Sequence, residues 1–394
     1  MALSKIYDSP RRVAMAPLEL SMSLYIFQSI VLGSALVILA RRENQFNAYQ
    51  ILFAMVWTIS VIAIKLTYGT DQVNFYSNDQ DVQIKLLDKF ISEGPIFSLD
   101  KIIDGRYVVV TPVWLLKLFG IDPLLGFKFL QAVSLVYLYR LCSDHLKRQG
   151  IAVKTWHAIL FAGPLFIFLS TIGLRDLEIA LFTTYFFLGR NPSVRIISLG
   201  LTALLRPHLA VALIFGWLVS TLLKRFSPKL AYIRLVALTI GAFVAGGFGY
   251  TFGALFKYKL NYGSPVVLTQ AAWWRFFANL IGLQFLSFGT DVVKMTVAQL
   301  LVLRLFFVDT FLIPLLFIFT LLNQHLRHSV MRIQVFVSFI FFLGLISQTN
   351  FNSSRQNLPF LSTMGVLALL GILKVKEQVP ESTNPQTEKS SRSN

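Results

Sequence analysis

Residues 173–214 read GLRDLEIALFTTYFFLGRNPSVRIISLGLTALLRPHLAVALI. Apolar runs at 177–189, at 193–205 and from 208 onward are cut only by short polar turns. The first turn holds Arg175, Asp176 and Glu178, the next Arg190 and Pro192, the last Arg206, Pro207 and His208. A surface helix of a soluble domain keeps a polar face along its length, and these runs have none. A membrane crossing needs about 20 mostly apolar residues, and somewhat shorter ones occur. The stretch therefore reads as consecutive short spans with the charges gathered at their ends.

The rest of the 394 residues agrees. Apolar residues make up 55% and charged residues 14%, against about 25% charged in soluble domains. Mean hydropathy is +0.64. Spans are expected at 20–40, 48–64, 122–141, 155–172, 177–189, 193–205, 208–223, 233–256, 298–322, 333–348 and 358–373. The segment 107–119 is apolar but contains Pro112 and Lys117, so it reads as a re-entrant or interfacial helix, or a twelfth span. The fold expected is all-α: a polytopic membrane protein of about 11 transmembrane helices. One domain covers 1–376, with external loops at 65–106 and 257–297, and a polar tail at 377–394 reads as disordered. The first apolar run lacks a small-residue cleavage site and meets Arg41 and Arg42 directly, so it reads as a span rather than a leader. A single cysteine, Cys142, cannot close an intrachain disulfide.

Net charge is +17, which in a soluble protein would suggest nucleic acid. Here the bases collect in alternate loops: Arg41 and Arg42; Arg140, Lys147, Arg148 and Lys154; Arg190 and Arg195; Lys224, Arg225, Lys229 and Arg234; Arg327 and Arg332; Lys374 and Lys376. That side is assigned to the cytoplasm by the positive-inside rule, and no nucleic-acid partner is expected. The 65–106 loop instead carries seven acids, Asp71, Asp79, Asp81, Asp88, Glu93, Asp100 and Asp104. It falls on the opposite, external face.

Five arginines sit on that external face against the charge rule: Arg106, Arg175, Arg206, Arg275 and Arg355. Each alone could reach a lipid headgroup. Together they suit a phosphate, because the guanidinium is a planar fork that stays charged. Asp79 and Asp81 precede an amphipathic run with Val82, Ile84, Leu86, Leu87, Phe90 and Ile91, suited to a helix lying on the membrane surface. These carboxylates could deprotonate a sugar hydroxyl, bind a divalent cation, or simply start the helix. Glu178 lies three residues from Arg175 on one helix face, so it could pair with it or contact a sugar. His208 follows a proline break and could act as a base or a structural hydrogen-bonding group. Trp273 and Trp274 beside Arg275, with Tyr76, could stack on sugars or anchor the interface. No metal-ligand spacing, phosphate-binding glycine loop or serine-hydrolase elbow is present, and no cofactor is certain.

The order of these motifs resembles the Wzy/EpsG-type family of bacterial exopolysaccharide polymerases. The runs are "LTYGTDQVNFYSND", "GLRDLEIALFTTYFF", "LLRPHLAVALI" and "SSRQNLPF", spread over about residues 20–373. Gly69, Asp71, Tyr76, Arg175, His208 and Arg355 fill the family's pattern. Two positions depart from it: Asp176 stands where an amide is usual, and Arg206-Pro207 where an aromatic is common. A second resemblance is to GT-C fold glycosyltransferases, whose first external loop carries an acidic pair before an amphipathic helix, as Asp79 and Asp81 would. The resemblance implies a bacterial inner-membrane enzyme that transfers glycan from a polyprenyl-(pyro)phosphate donor to an acceptor sugar on the external face, alongside other polysaccharide-assembly proteins. Asp79, Asp81 and His208 would be the acid/base groups. The arginines would hold phosphate, and Glu178, Tyr76, Trp273 and Trp274 the sugar. The alternatives are transfer of a single sugar, or a transporter or flippase of lipid-linked sugars using Lys128, Arg304 or Asp309.

Overall fold

Helix starts are written plainly in this chain. Asp122 accepts hydrogen bonds from the N–H groups of Leu124 (2.9 Å) and Leu125 (3.0 Å), and Pro123 opens the longest helix. Asn191 does the same for Ser193, with Pro192 next. The computed structural model describes residues 22–41, 48–68, 77–93, 107–226, 232–255, 275–277, 280, 308–322, 329–347 and 357–378. Among them there is no strand.

The helices are α1 (Met22–Arg41), α2 (Ala48–Tyr68), α3 (Ser77–Glu93), α4 (Tyr107–Leu118), α5 (Pro123–Arg148), α6 (Ile159–Ala162), α7 (Pro164–Ser170), α8 (Asp176–Leu188), α9 (Pro192–Leu205), α10 (Pro207–Phe226), α11 (Tyr232–Leu255), α12 (Asp309–Leu322), α13 (Val330–Ser347) and α14 (Leu358–Gln378). Five of them are long and apolar enough to cross a membrane: α1, α2, α5, α10 and α13. Of the other expected spans, 193–205, 233–256, 298–322 and 358–373 contain shorter apolar helices. Phe27, Ile38, Ile59, Ile196 and Phe319 are each more than 60% exposed. Such an apolar surface suits lipid rather than water.

Two expectations change. The 155–172 run is not one span: a 3-10 turn at Thr155–Ala158, α6 and α7 replace it, broken at Gly163-Pro164. Pro cannot donate an N–H within a helix, so it starts the next one. Pro112, in contrast, sits inside a continuous α4. Arg332, counted among the loop bases, lies within α13 and is 4% exposed, donating to Thr320 Oγ1 (2.7 Å) and the Leu367 carbonyl (2.5 Å).

α8 and α9 pack antiparallel, so Asp176 meets Arg206 while Phe186 meets Arg195. α13 packs closely on α10 and α11 through Gly216, Gly246 and Gly344, where a Cβ would strike the neighbouring helix. Gln28 of α1 bonds both Gly120 and Asp122, so α1 and α5 run parallel. The result has two ends. One holds Asp122, Gly173, Asp176 and Arg206; the other holds Arg41, Arg148, Arg190 and Lys224. Among the described residues, several of the bases counted in the alternate loops, Arg41, Arg148, Arg190 and Lys224, thus share one end of the helix layer. The tail after 378 and most of the 257–297 loop lie outside the described residues.

Candidate functional site

The turn between α7 and α8 is shaped by Gly173, whose φ is +83°. An L side chain rarely adopts that conformation. A Cβ there would also press on Lys128 Cγ (3.1 Å) and Phe127 Cβ (3.3 Å) of α5. The turn therefore lies flat on α5. Gln80 of α3 reaches the same turn and donates to the Ile172 carbonyl (2.5 Å).

Gln131 of α5 holds the first turn of α8. Its Oε1 accepts the Leu177 N–H (2.9 Å), an otherwise unsatisfied first-turn donor. Its Nε2 donates to Glu178 Oε2. Glu178 is 8% exposed, and its Oε1 has no hydrogen-bond partner among the described residues. A buried carboxylate oxygen left open is costly unless a ligand or proton meets it. The charge of Arg175 also acts on Glu178, beside this amide clamp.

Asp176, one residue after Arg175, takes the Arg206 guanidinium at 2.7 Å, with both side chains buried. The two positions that depart from the family pattern thus complete each other. Arg206, expected to hold phosphate, is thus paired with its own counter-charge, as a buried charge needs, and α9 ends directly opposite the start of α8. Arg206 also closes its own backbone, donating to Thr202 O (2.7 Å) and accepting from Leu209 N (3.0 Å). His208, on the first turn of α10, stacks on Phe342 of α13 at 5.8 Å and 14°. The charges of both Arg206 and Arg175 act on its imidazole. Arg175 itself stands at the N-cap of α8, partly exposed.

The structure thus brings Arg175, Glu178, Arg206 and His208 together and adds Asp176, Gln131 and the fully buried Lys128. Gln131 was missed in the sequence. Its signal was a polar pair, Lys128 and Gln131, one turn apart in an otherwise apolar span. Arg275 belongs to a short helical piece at 275–277, anchored where Phe276 packs on Phe243 at 4.5 Å. Phe243 meets Gly344 of α13, two residues from the Phe342 that bears His208, so Arg275 is placed at the same end.

α3 buries the middle of its expected face and leaves the margins outside. Its buried positions are Gln80, Gln83, Leu87 and Phe90, while Val82 and Ile91 are exposed. The helix begins at Ser77, so Asp79 lies inside its first turn rather than capping it. Asp81 is partly buried beside Gln80. The side chain of Asp79 lies outside the described residues, as do Tyr76, Arg106, Trp273, Trp274 and Arg355. No group of acids, histidines and cysteine among the described residues could hold a metal ion. No protein-family model, curated protein or solved structure matches the chain.

Proposed function

We propose that the protein is a membrane glycosyltransferase of the polysaccharide-polymerase type, which transfers a glycan from a polyprenyl-(pyro)phosphate donor to an acceptor sugar at the end of the helix layer opposite its basic loops. The observation that carries this reading is the charged cluster at two adjoining helix breaks, where the charge of Arg175 acts on both Glu178 and His208. Charged groups in this setting are functional candidates because their burial is costly. Arg175, with Arg275, Arg106 and Arg355, would take the phosphates. The leaving pyrophosphate develops negative charge, and fixed guanidinium groups stabilise it as it departs. Glu178, its one oxygen held by Gln131 and the other open, would receive the acceptor hydroxyl's proton, a role the resemblance gives to Asp79, Asp81 or His208.

Inactivation of the gene, followed by analysis of surface glycan and lipid-linked intermediates, tests the reading. Single repeat units accumulating on lipid mean a polymerase. A unit lacking one sugar means a single-sugar transferase. Complete lipid-linked glycan retained on the cytoplasmic side means a flippase. Arg175→Lys should keep normal membrane levels and lose most polymer, because lysine offers a point charge without the fork. Normal polymer in that variant would remove the phosphate role.

A further inference from the structure

At the opposite end of the molecule, α1, α2 and α5 enclose a cavity of about 140 Å³. By volume it would hold roughly four or five waters. Arg140, Ser143, Asp144 and Lys147 line it from α5, spaced so that they share one helix face. Leu39 and Ala40 line it from the end of α1, and Gln50 from the first turn of α2. None of these residues belongs to the cluster at the other end.

Three observations point to an anionic ligand. Two cations and one acid line the cavity, leaving one formal positive charge, which a phosphodiester monoanion would neutralise. Ser143 is 4% exposed, and its Oγ has no hydrogen-bond partner among the described residues. A buried hydroxyl left in this way is a donor waiting for an acceptor. Gln50 is also buried, and the first-turn N–H groups of α2 beside it have no intrahelical acceptor.

The surroundings say where that anion comes from. The cavity lies at the end that gathers Arg41, Arg148 and Lys154, the level at which headgroups lie, and Lys147 on its wall is exposed. Its wall is half apolar, with Leu39, Val136 and Ala40. Ile38, next to Leu39, is 68% exposed on the lipid-facing surface, so an acyl chain can leave the cavity along α1. We propose that this cavity binds the phosphodiester headgroup of an anionic membrane lipid. Arg140 and Lys147 meet the phosphate oxygens, Ser143 donates to them, and the acyl chains lie against α1. Basic pockets between helices at the headgroup level take such lipids.

The test uses the full-length protein in detergent, titrated with short-chain phosphatidylglycerol, short-chain phosphatidylcholine or inorganic phosphate, with the melting midpoint as readout. Phosphatidylglycerol should raise the midpoint saturably, and more strongly at low salt. Lys147→Gln and Arg140→Gln should each raise the half-saturating concentration about tenfold, the worth of a charge-assisted hydrogen bond. Asp144→Asn should lower it, because it removes the acid that opposes the phosphate. Lys224→Gln, at the same end but outside the cavity, should leave it unchanged. Equal stabilisation by phosphatidylcholine, or an unchanged response in both Lys147→Gln and Asp144→Asn, overturns the proposal. Both of those positions tolerate the change even if Arg140→Gln fails to fold. An equal response to inorganic phosphate would assign the cavity to the free ion and overturn the lipid.

Discussion

The chain breaks at Gly163-Pro164 between α6 and α7, and again at Arg206-Pro207 between α9 and α10. Both breaks put an exposed proline at the start of the following helix, directly after a buried residue, Gly163 or Arg206. At the first, neighbouring helices take up the freed backbone. Ser362 donates to the Phe161 carbonyl (2.8 Å), Tyr49 donates to the Ala162 carbonyl, and the Leu160 carbonyl packs against Gly365. Asp309 accepts the Leu165 N–H at 3.4 Å. At the second, the backbone closes on itself and the side chains carry the charge: Arg206 on Asp176, with Arg175, Glu178 and His208 around them. An interrupted helix is therefore not a ligand site in itself. Where hydroxyls from other helices consume the loose carbonyls, the break is a packing joint. Where ionised side chains are left facing each other and one carboxylate oxygen stays open, a substrate has something to bind.

The largest effect should come from splitting the pair at the second break. Asp176→Asn or Arg206→Gln alone should cost about 3–5 kcal/mol, since each leaves a buried charge unpartnered. The double variant should regain most of that loss. Thermal melts of the detergent-solubilised protein read all three, and additive losses would show that the two side chains act independently.

Glu178→Gln comes next. It keeps the shape and the bond from Gln131 while removing the open acceptor of a proton. Glycan synthesis should fall about a hundredfold, equivalent to roughly 2.7 kcal/mol in the barrier. The melting midpoint should hold or rise, because a neutral amide is easier to bury than a carboxylate. Full synthesis by this variant would return the acid/base role to Asp79, Asp81 or His208.

The first break should answer in stability only. Gly365→Ala places a methyl group where the Leu160 carbonyl sits, at a cost of about 1–3 kcal/mol. Polymer made per folded molecule, with protein measured by blot, should not change. The smallest effect is expected from Asp309→Asn, at most about 1 kcal/mol from one long hydrogen bond. A loss of polymer in this variant at normal protein level would make the Gly163 break part of the working site and erase the distinction between the two.

Helix positions were legible because apolar runs and their punctuation are local. Asp122-Pro123, Asn191-Pro192 and Arg206-Pro207 all mark starts that the structure keeps. The exception at 155–172 is instructive. Gly163-Pro164 looks like a tolerable kink in an apolar run, and its cost is met by Ser362 and Tyr49, which are distant in sequence. Arg175, Glu178 and His208 stood out as charges beside apolar spans. Their partners did not, because Gln131 lies 46 residues before Leu177 and Asp176 lies 30 before Arg206.

The sequence by itself determined a helical fold apolar enough for a bilayer, since composition and run length depend on no contact. It also determined which turns carry charge and which loops are basic. Only the tertiary structure decided what those charges do. It spent Arg206 on Asp176, left Glu178 with one open oxygen under Gln131, buried Arg332 inside α13, and set Arg140 and Lys147 around a cavity. Pairing is a matter of distance in space, and antiparallel helices bring together residues whose separation along the chain carries no signal of their meeting.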